Sequence, residues 1–389
     1  MSMVRLFLSQ CALILVLKAL WFAAPSAWAL PEAARYGHFT CTSCHVSPGG
    51  GSTLTMYGRE FSLHKLSTWR SWGEENALHG LLPASDRWFL GGNLRWVWMD
   101  RRTKDTKFTK FWSMQKDLEL GATATMPWSD PIFFTVAGGT KPAGPNTPKE
   151  EANKFVARGW MLRMDTLRDR ISVRAGLFLP RYGLMLSDHT AFIRTATALG
   201  PDSEQTQFET SFISDHVEAI AAVIIKNDGL DREKQSRSGF VAGLSGYIAR
   251  QRLNFSLMQQ SRSDEVSEYT LLTMGLSAVN TITRRIFTMI EGNFIQTKLN
   301  VGDLSKVTPS STTFTSLHAE VHRGVIPFVR YEYWDQELGK LNSSQSRWGG
   351  GVTFYPRPHF QTELKLTRTI NTASQVPSNQ TDLVINYYF

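Results

Sequence analysis

The sequence predicts an all-β protein, a transmembrane outer-membrane β-barrel of about 16 antiparallel strands behind a short irregular N-terminal segment. Three observations predict it. Period-2 alternation of apolar and polar residues begins at Asp86 and runs almost to the last residue. The connections between alternating segments are by turns short and long. The chain also opens with an export signal.

That signal sets the first boundary. Arg5 precedes an apolar stretch from Leu6 to Phe22, and Ala27-Trp28-Ala29 supplies a small-x-small cleavage site, so the mature chain is expected to begin at Leu30. Lys18 interrupts the apolar run, which falls short of the ~20 residues a spanning helix needs. Residues 1–29 are thus read as a signal peptide, 30–85 as a separate small segment and 86–389 as the barrel. Mean hydropathy is −0.22 and charged residues make up 20%. Both values suit a barrel, whose strands alternate lipid-facing apolar residues with polar lumen residues. The net charge of +8 is spread without a dense basic block, and export argues against a nucleic-acid partner.

The clearest strand is Thr109 to Met126, with Trp112, Met114, Leu118, Leu120, Ala122, Ala124 and Met126 expected on one face. Ser113, Gln115, Asp117, Glu119, Thr123 and Thr125 then take the other. Ile171, Val173, Ala175, Leu177 and Leu179 alternate with Arg170, Ser172 and Arg174 in the same way. So do Phe360, Leu364, Leu366 and Ile370 with Gln361, Glu363, Lys365 and Thr367, and Val329, Tyr331 and Tyr333 with Arg330, Glu332 and Trp334. Polar faces that carry both signs of charge suit a wet lumen better than a packed sandwich core. Turn signals divide the chain into strands at 86–100, 109–126, 130–140, 153–165, 169–179, 204–213, 216–226, 237–249, 251–262, 266–278, 283–297, 310–322, 324–336, 345–356, 358–371 and 379–389.

Links after even-numbered strands are small: Pro127–Ser129, Thr166–Arg168, Val279–Ile282 and Arg357. Most links after odd-numbered strands are long: Lys141–Ala152, Pro180–Ser203, Asn227–Ser236, Lys298–Pro309 and Glu337–Ser344. Short periplasmic turns alternating with long outer loops would start strand one in the periplasm, with residues 30–85 there or plugging the lumen from that side. At the C-terminus Leu383, Ile385, Tyr387 and Phe389 share a face and end in an aromatic residue, as outer-membrane barrels do.

Chemistry is concentrated in Cys41-Thr42-Ser43-Cys44-His45, the attachment pattern of one covalent haem c. Two thiols three positions apart can each add to one vinyl group of the porphyrin, and the adjacent imidazole then reaches the iron as proximal ligand. Cys11 is lost with the signal, so no other cysteine competes. The alternative is a local disulfide; zinc lacks a second Cys/His pair at ligand spacing. Val46-Ser47-Pro48-Gly49-Gly50-Gly51-Ser52 cannot be regular helix and is expected as a tight loop over the haem edge. A short helix after Ser52 or Thr53 would put Leu54, Tyr57, Phe61 and His64 on one face. His64 is therefore the first candidate for the distal ligand, with Met56 and His79 as alternates and a five-coordinate iron also open.

Elsewhere the signals are weaker. Asp188 and His189 lie in the longest predicted loop, which could fold into the pore as a constriction, and ordinary loop hydrogen bonds are the expected role of both. His318, Glu320 and His322 are expected to alternate on one strand face beside Arg330 and Glu332 and to read as lumen wall. No nucleophile–base triad, phosphate loop or four-cysteine cluster is visible.

The combination of signal peptide, one Cys-x-x-Cys-His and about sixteen strands resembles the fused cytochrome–porins of bacterial outer membranes. The stretch from Cys41 to Gly51, with Tyr57-Gly58-Arg59, also resembles a mono-haem segment of barrel proteins other than the iron oxidases. The resemblance implies an electron-transfer protein, passing electrons through the plugged pore between an extracellular donor or acceptor and periplasmic cytochromes or other carriers. Its best-known members oxidise iron, which makes a metal-ion oxidase activity an expectation of the resemblance alone. A porin-type solute channel, with the haem segment as gate or redox sensor, is the competing expectation.

Overall fold

The alternation of β-branched and aromatic residues with polar ones makes each segment two-faced, and a two-faced sheet in lipid is stable only when its edges close on each other. In a computed structural model, sixteen antiparallel strands form a closed barrel in which each strand pairs with its sequence neighbours and the first closes on the last. The structure describes residues 44–47, 53–71, 73–74, 76, 78–79, 81, 85, 87–124, 130–140, 155–167, 170–188, 190–200, 203–226, 237–248, 251–263 and 267–389. The expected signal peptide, Cys41, the glycine run 49–51 and His189 lie outside these residues.

The strands are β1 (Trp88–Arg102), β2 (Lys107–Ala124), β3 (Ile132–Thr140), β4 (Phe155–Thr166), β5 (Ile171–Phe178), β6 (Gln205–Ile213), β7 (Val217–Ile224) and β8 (Ser238–Ile248). They continue as β9 (Gln251–Ser263), β10 (Ser267–Thr281), β11 (Ile286–Val301), β12 (Leu304–Ala319), β13 (Val325–Asp335), β14 (Ser344–Phe354), β15 (Phe360–Asn371) and β16 (Ser378–Tyr388). Each corresponds to one predicted span. Leu118, Leu162, Phe208, Leu244, Phe255, Val329 and Leu366 stand exposed on the outer wall. Their neighbours Asp117, Arg163, Gln207, Ser245, Asn254, Arg330 and Lys365 are buried on the inner one. A barrel in lipid requires this inversion of the usual rule.

Three expectations need correction. Lys298–Pro309 is not a long loop: β11 and β12 run on to a tight turn at 302–303, with Val301 paired to Leu304. Each strand has 16 residues. At ~3.4 Å per residue that is roughly 50 Å, more than a ~25 Å apolar band takes even with a ~40° tilt, so the hairpin projects past the lipid. Second, β2 does not keep one face throughout. Arg95 pairs with Gln115 but Trp96 with Ser113, a bulge that shifts the alternation by one residue. Beyond it Phe111 is exposed on the outer wall while Trp112 lines the lumen. Third, β12 ends at Ala319, so His318 is a buried inner-wall residue while Glu320 and His322 belong to the following turn.

Two insertions fill the lumen. From the end where the short turns lie, residues 44–47 and 53–71 enter as a plug with one short helix, α1 (Met56–Phe61), and a π-helical turn, Ser62–Leu66. Between β5 and β6 the chain folds inward as the sequence anticipates, with a single turn of helix, α2 (Phe192–Ala196), near its tip. Leu184, Leu186 and Ile193 of that loop pack on Phe287, Met289, Phe314 and Ile326 of the wall, and Leu66 of the plug lies against the same cluster. Tyr182 and Leu199 pack on Ala222, Ile224, Val241 and Met258 on the other side.

Candidate functional site

The plug is held by a small ladder that begins at the second motif cysteine. Thr55 N–H donates to the Cys44 carbonyl at 2.9 Å, Val46 N–H donates to the Thr53 carbonyl at 3.0 Å, and His45 bridges Leu54 between them. The ladder sets Val46 beside Thr53. Thr55 then caps α1, its hydroxyl accepting from Gly58 N–H at 3.1 Å. Gly58 lies so close on the Cys44 carbonyl that an added Cβ would stand 2.2 Å from the oxygen. Cys44 is buried, and His45 beside it is half-buried.

Inward side chains of β2, β4 and β5 receive this ladder. Thr53 donates twice to Glu119 Oε2, from its backbone at 3.1 Å and its hydroxyl at 2.6 Å. The Arg163 guanidinium donates to the Val46 carbonyl while pairing with Asp165. Val46 packs on Met161 and Phe178. The Arg59 guanidinium donates to the Leu90 carbonyl of β1 at 2.8 Å. The end of the plug is stitched to the turns, with Thr68 and Trp69 N–H donating to the Tyr355 and Pro356 carbonyls at 2.9 Å each. The signal for these anchors was present in the polar inner faces, but their partners were not.

The candidate distal ligands are placed apart. Leu54 belongs to the ladder rather than to the helix, and the π turn breaks the 3.6-residue spacing after Phe61. The expected common face is therefore absent: Phe61 is buried, Tyr57 exposed, and His64 turned to solvent, where Arg70 Nη1 and His64 Nδ1 lie 2.9 Å apart. Met56 is 44% exposed. His79 stacks on Tyr387 with ring centroids 5.5 Å apart and faces Glu74 at 3.8 Å.

The sequence reading missed His359, in the turn between β14 and β15. It is 0% exposed, and neither ring nitrogen has a hydrogen-bond partner among the described residues. Its backbone N–H donates to Ser62 Oγ of the plug at 3.1 Å, and the rings of Tyr388 and His79 stand 5.9 and 6.0 Å away. Burial, with smaller contributions from Arg59 and His79, pushes its pKa down to about 3, so the ring is neutral with a free lone pair. Its φ of +63° lies in the left-handed region, where glycine or asparagine costs least. A buried polar group left unpaired costs about 1–3 kcal/mol, so this ring is an expense that solvation does not offset. One histidine within a turn gave no periodic signal.

The rest of the lumen is charged and paired. Arg174 forks onto Glu209 through two bonds of 2.9 and 2.8 Å, and Arg181 from the inward loop bridges Glu209 and Glu218. At the loop tip Asp188 Oδ2 accepts from Arg330 and Lys365 at 2.7 Å each, and Phe192 N–H donates to Glu332 at 2.7 Å. Asp188, read from sequence as a loop hydrogen-bonder, is thus the clasp of the constriction. Between this tip and the wall of β1, β15 and β16 lies a cavity of about 60 Å³, bordered by Arg95, Trp112, Asp188, Glu363, Lys365 and Asp382. Among the described residues no group of three or more His, Cys, Asp or Glu side chains is placed to hold a metal ion on its own.

No family model matches the chain, and no curated protein matches it. Solved structures do. The barrel is similar to the outer-membrane-expressed OmpT of Vibrio cholerae (TM-score 0.60, 14% identity), over 79% of this chain and 100% of that one. It is similar to the outer membrane channel DcaP of Acinetobacter baumannii (TM-score 0.59, 9% identity, 78% and 97% covered). A third is an anion-selective porin from Comamonas acidovorans (TM-score 0.56, 11% identity, 78% and 99% covered). At these identities the likeness is one of fold: a porin-like, sixteen-stranded outer-membrane barrel.

Proposed function

We propose that this porin-like barrel sits in the bacterial outer membrane, turns toward the periplasm, and carries one covalent haem c through which single electrons cross. The observation that carries this reading is the plug. The residues that follow Cys44 and His45 are tied to the lumen wall through Thr53–Glu119, Val46–Arg163 and Arg59–Leu90, and the tip of the inward loop is clasped by Arg330. Such a lumen holds its N-terminal segment where a redox group would be useful.

The described residues fit a haem. Cys44 is buried with His45 adjacent, the ladder pins both, and the neighbouring wall holds a buried imidazole with neither nitrogen satisfied among the described residues. Cys41 and Cys44 would hold the macrocycle by thioethers and His45 would give the proximal nitrogen. When bound, the group supplies one-electron chemistry at iron, with a potential set by axial ligation and burial. Gly58 and Thr55 keep Cys44 in place, Glu119 and Arg163 fix the depth of the ladder, and the aliphatic and aromatic side chains of Val46, Met161 and Phe178 keep water from its flank. One group cannot bridge a ~30 Å apolar core. Periplasmic carriers are therefore assigned to the turn end, and an extracellular donor or acceptor to the lumen from the loop end. Iron in that role rests on the resemblance to cytochrome–porins alone.

The cavity beside Asp188 favours a second reading, a narrow solute channel. Arg95, Glu363, Lys365 and Asp382 line it, with Lys365 held 3.3 Å from Asp382, and two of the similar structures are a channel and an anion-selective porin. Sealed proteoliposomes separate the readings. With the conduit, an electron acceptor trapped inside is reduced by an impermeant donor outside, and reduction disappears in a Cys41→Ala, Cys44→Ala variant. Solute flux without transmembrane reduction would overturn the conduit in favour of the channel.

A further inference from the structure

We propose that His359, on the barrel wall, is the second axial ligand of the haem iron; the assignment rests on the reading that Cys41, Cys44 and His45 hold that haem. A fully buried imidazole with both nitrogens unpartnered among the described residues needs a Lewis acid or a donor. The residues around it are those of the haem segment. Gly58 touches the Cys44 carbonyl, Arg59 follows it, and Ser62 receives the His359 backbone N–H. From Gly58 to Ser62 is one turn of helix, a rise of about 6 Å.

The other candidates lack this combination. His64 is exposed and occupied by Arg70, Met56 is exposed, and His79 has Glu74 as partner and Tyr387 as stacking surface. In coordination the neutral imidazole donates a lone pair to the open sixth position, so no proton leaves and no electron is exchanged. The left-handed backbone at His359, together with Ser62, fixes the ring's approach before any ligand arrives. The bond would tie plug to wall, since His45 belongs to residues 30–85 and His359 to the barrel.

The test uses the full chain matured in a host that attaches haem c, purified from its outer membrane. Wild-type protein is expected to hold covalent haem by the pyridine haemochrome assay, with a low-spin ferric spectrum and a ferrous form closed to carbon monoxide. H359A should retain the covalent haem but turn predominantly high-spin and bind carbon monoxide stoichiometrically. Added imidazole should restore the low-spin form. H64A, H79A and M56A should remain low-spin. An H359A protein that stays low-spin, or a wild type already high-spin, would overturn the ligand assignment while leaving the haem in place. A wild type without covalent haem would instead remove the reading underneath. Heat-modifiable migration in gels checks that the barrel has folded. Should H359A not fold, H359M gives the same decision: a thioether's weak far-red band supports the assignment, and an unchanged bis-histidine spectrum refutes it.

Discussion

Asp188→Asn tests whether the inward loop constricts the pore because two buried cations hold its tip. Asp188 Oδ2 accepts from Arg330 and from Lys365 at 2.7 Å each, while Oδ1 serves Thr190 within the loop itself. The amide preserves shape and the local turn but removes the charge seen by both cations. A hydrogen bond to a charged group contributes about 1.5–3 kcal/mol, and two are weakened together. Arg330 keeps Glu332 at 3.1 Å and Lys365 keeps Asp382 at 3.3 Å, so neither cation is stranded and the loss is partial. The net weakening of the clasp is then about 3 kcal/mol, roughly a hundredfold in the docked-to-released ratio of the tip. The base of the loop stays fixed by Tyr182 to Asn293 and by Leu184 N–H to Glu291. Barrel stability should therefore change little while single-channel recordings show larger or noisier conductance. A Thr190→Cys label site should react faster with an impermeant maleimide in the Asp188→Asn background. Conductance and labelling rates equal to those with Asp188 intact would refute the clasp.

Two other perturbations probe the plug and the lumen charges. Gly58→Ala places a methyl group against the Cys44 carbonyl, a backbone atom that cannot step aside, and overpacking of this kind costs about 1–3 kcal/mol. The plug should become more sensitive to protease and attach less haem, with the barrel still heat-modifiable; unchanged digestion would count against that packing. Arg174→Met strands Glu209 beside a single remaining cation, Arg181, and breaking a buried pair costs about 3–5 kcal/mol. Its unfolding transition in gels should fall, and adding Glu209→Gln should recover part of the loss; strict additivity of the two changes would show the pair to be uncoupled.

Much of this protein was legible in the chain because a membrane barrel repeats one simple rule. Period two, with lipid outside and a polar lumen inside, marks every strand, and the longest link between strands did fold inward. Two of the failures have separate causes. Parity counts residues without knowing where one is inserted, so the bulge between Arg95 and Trp96 sent Trp112 to the lumen and Phe111 to the lipid. Pro309 and the polar run before it suggested a loop. Strands that leave the lipid no longer need apolar neighbours, and the Val301–Leu304 hairpin continues in register there.

By itself the sequence determined the barrel, the order of its strands and a Cys-x-x-Cys-His motif near the N-terminus, since each is encoded in local spacing. Only the tertiary structure decided what meets what inside. The clasp of Asp188 by Arg330 and Lys365 and the burial of His359 beneath Ser62 both join residues far apart in the chain. Contacts of that kind follow from closure of the barrel around its own plug. Closure brings Ser62 to His359 across nearly three hundred residues, and no local pattern of apolar and polar side chains records that meeting.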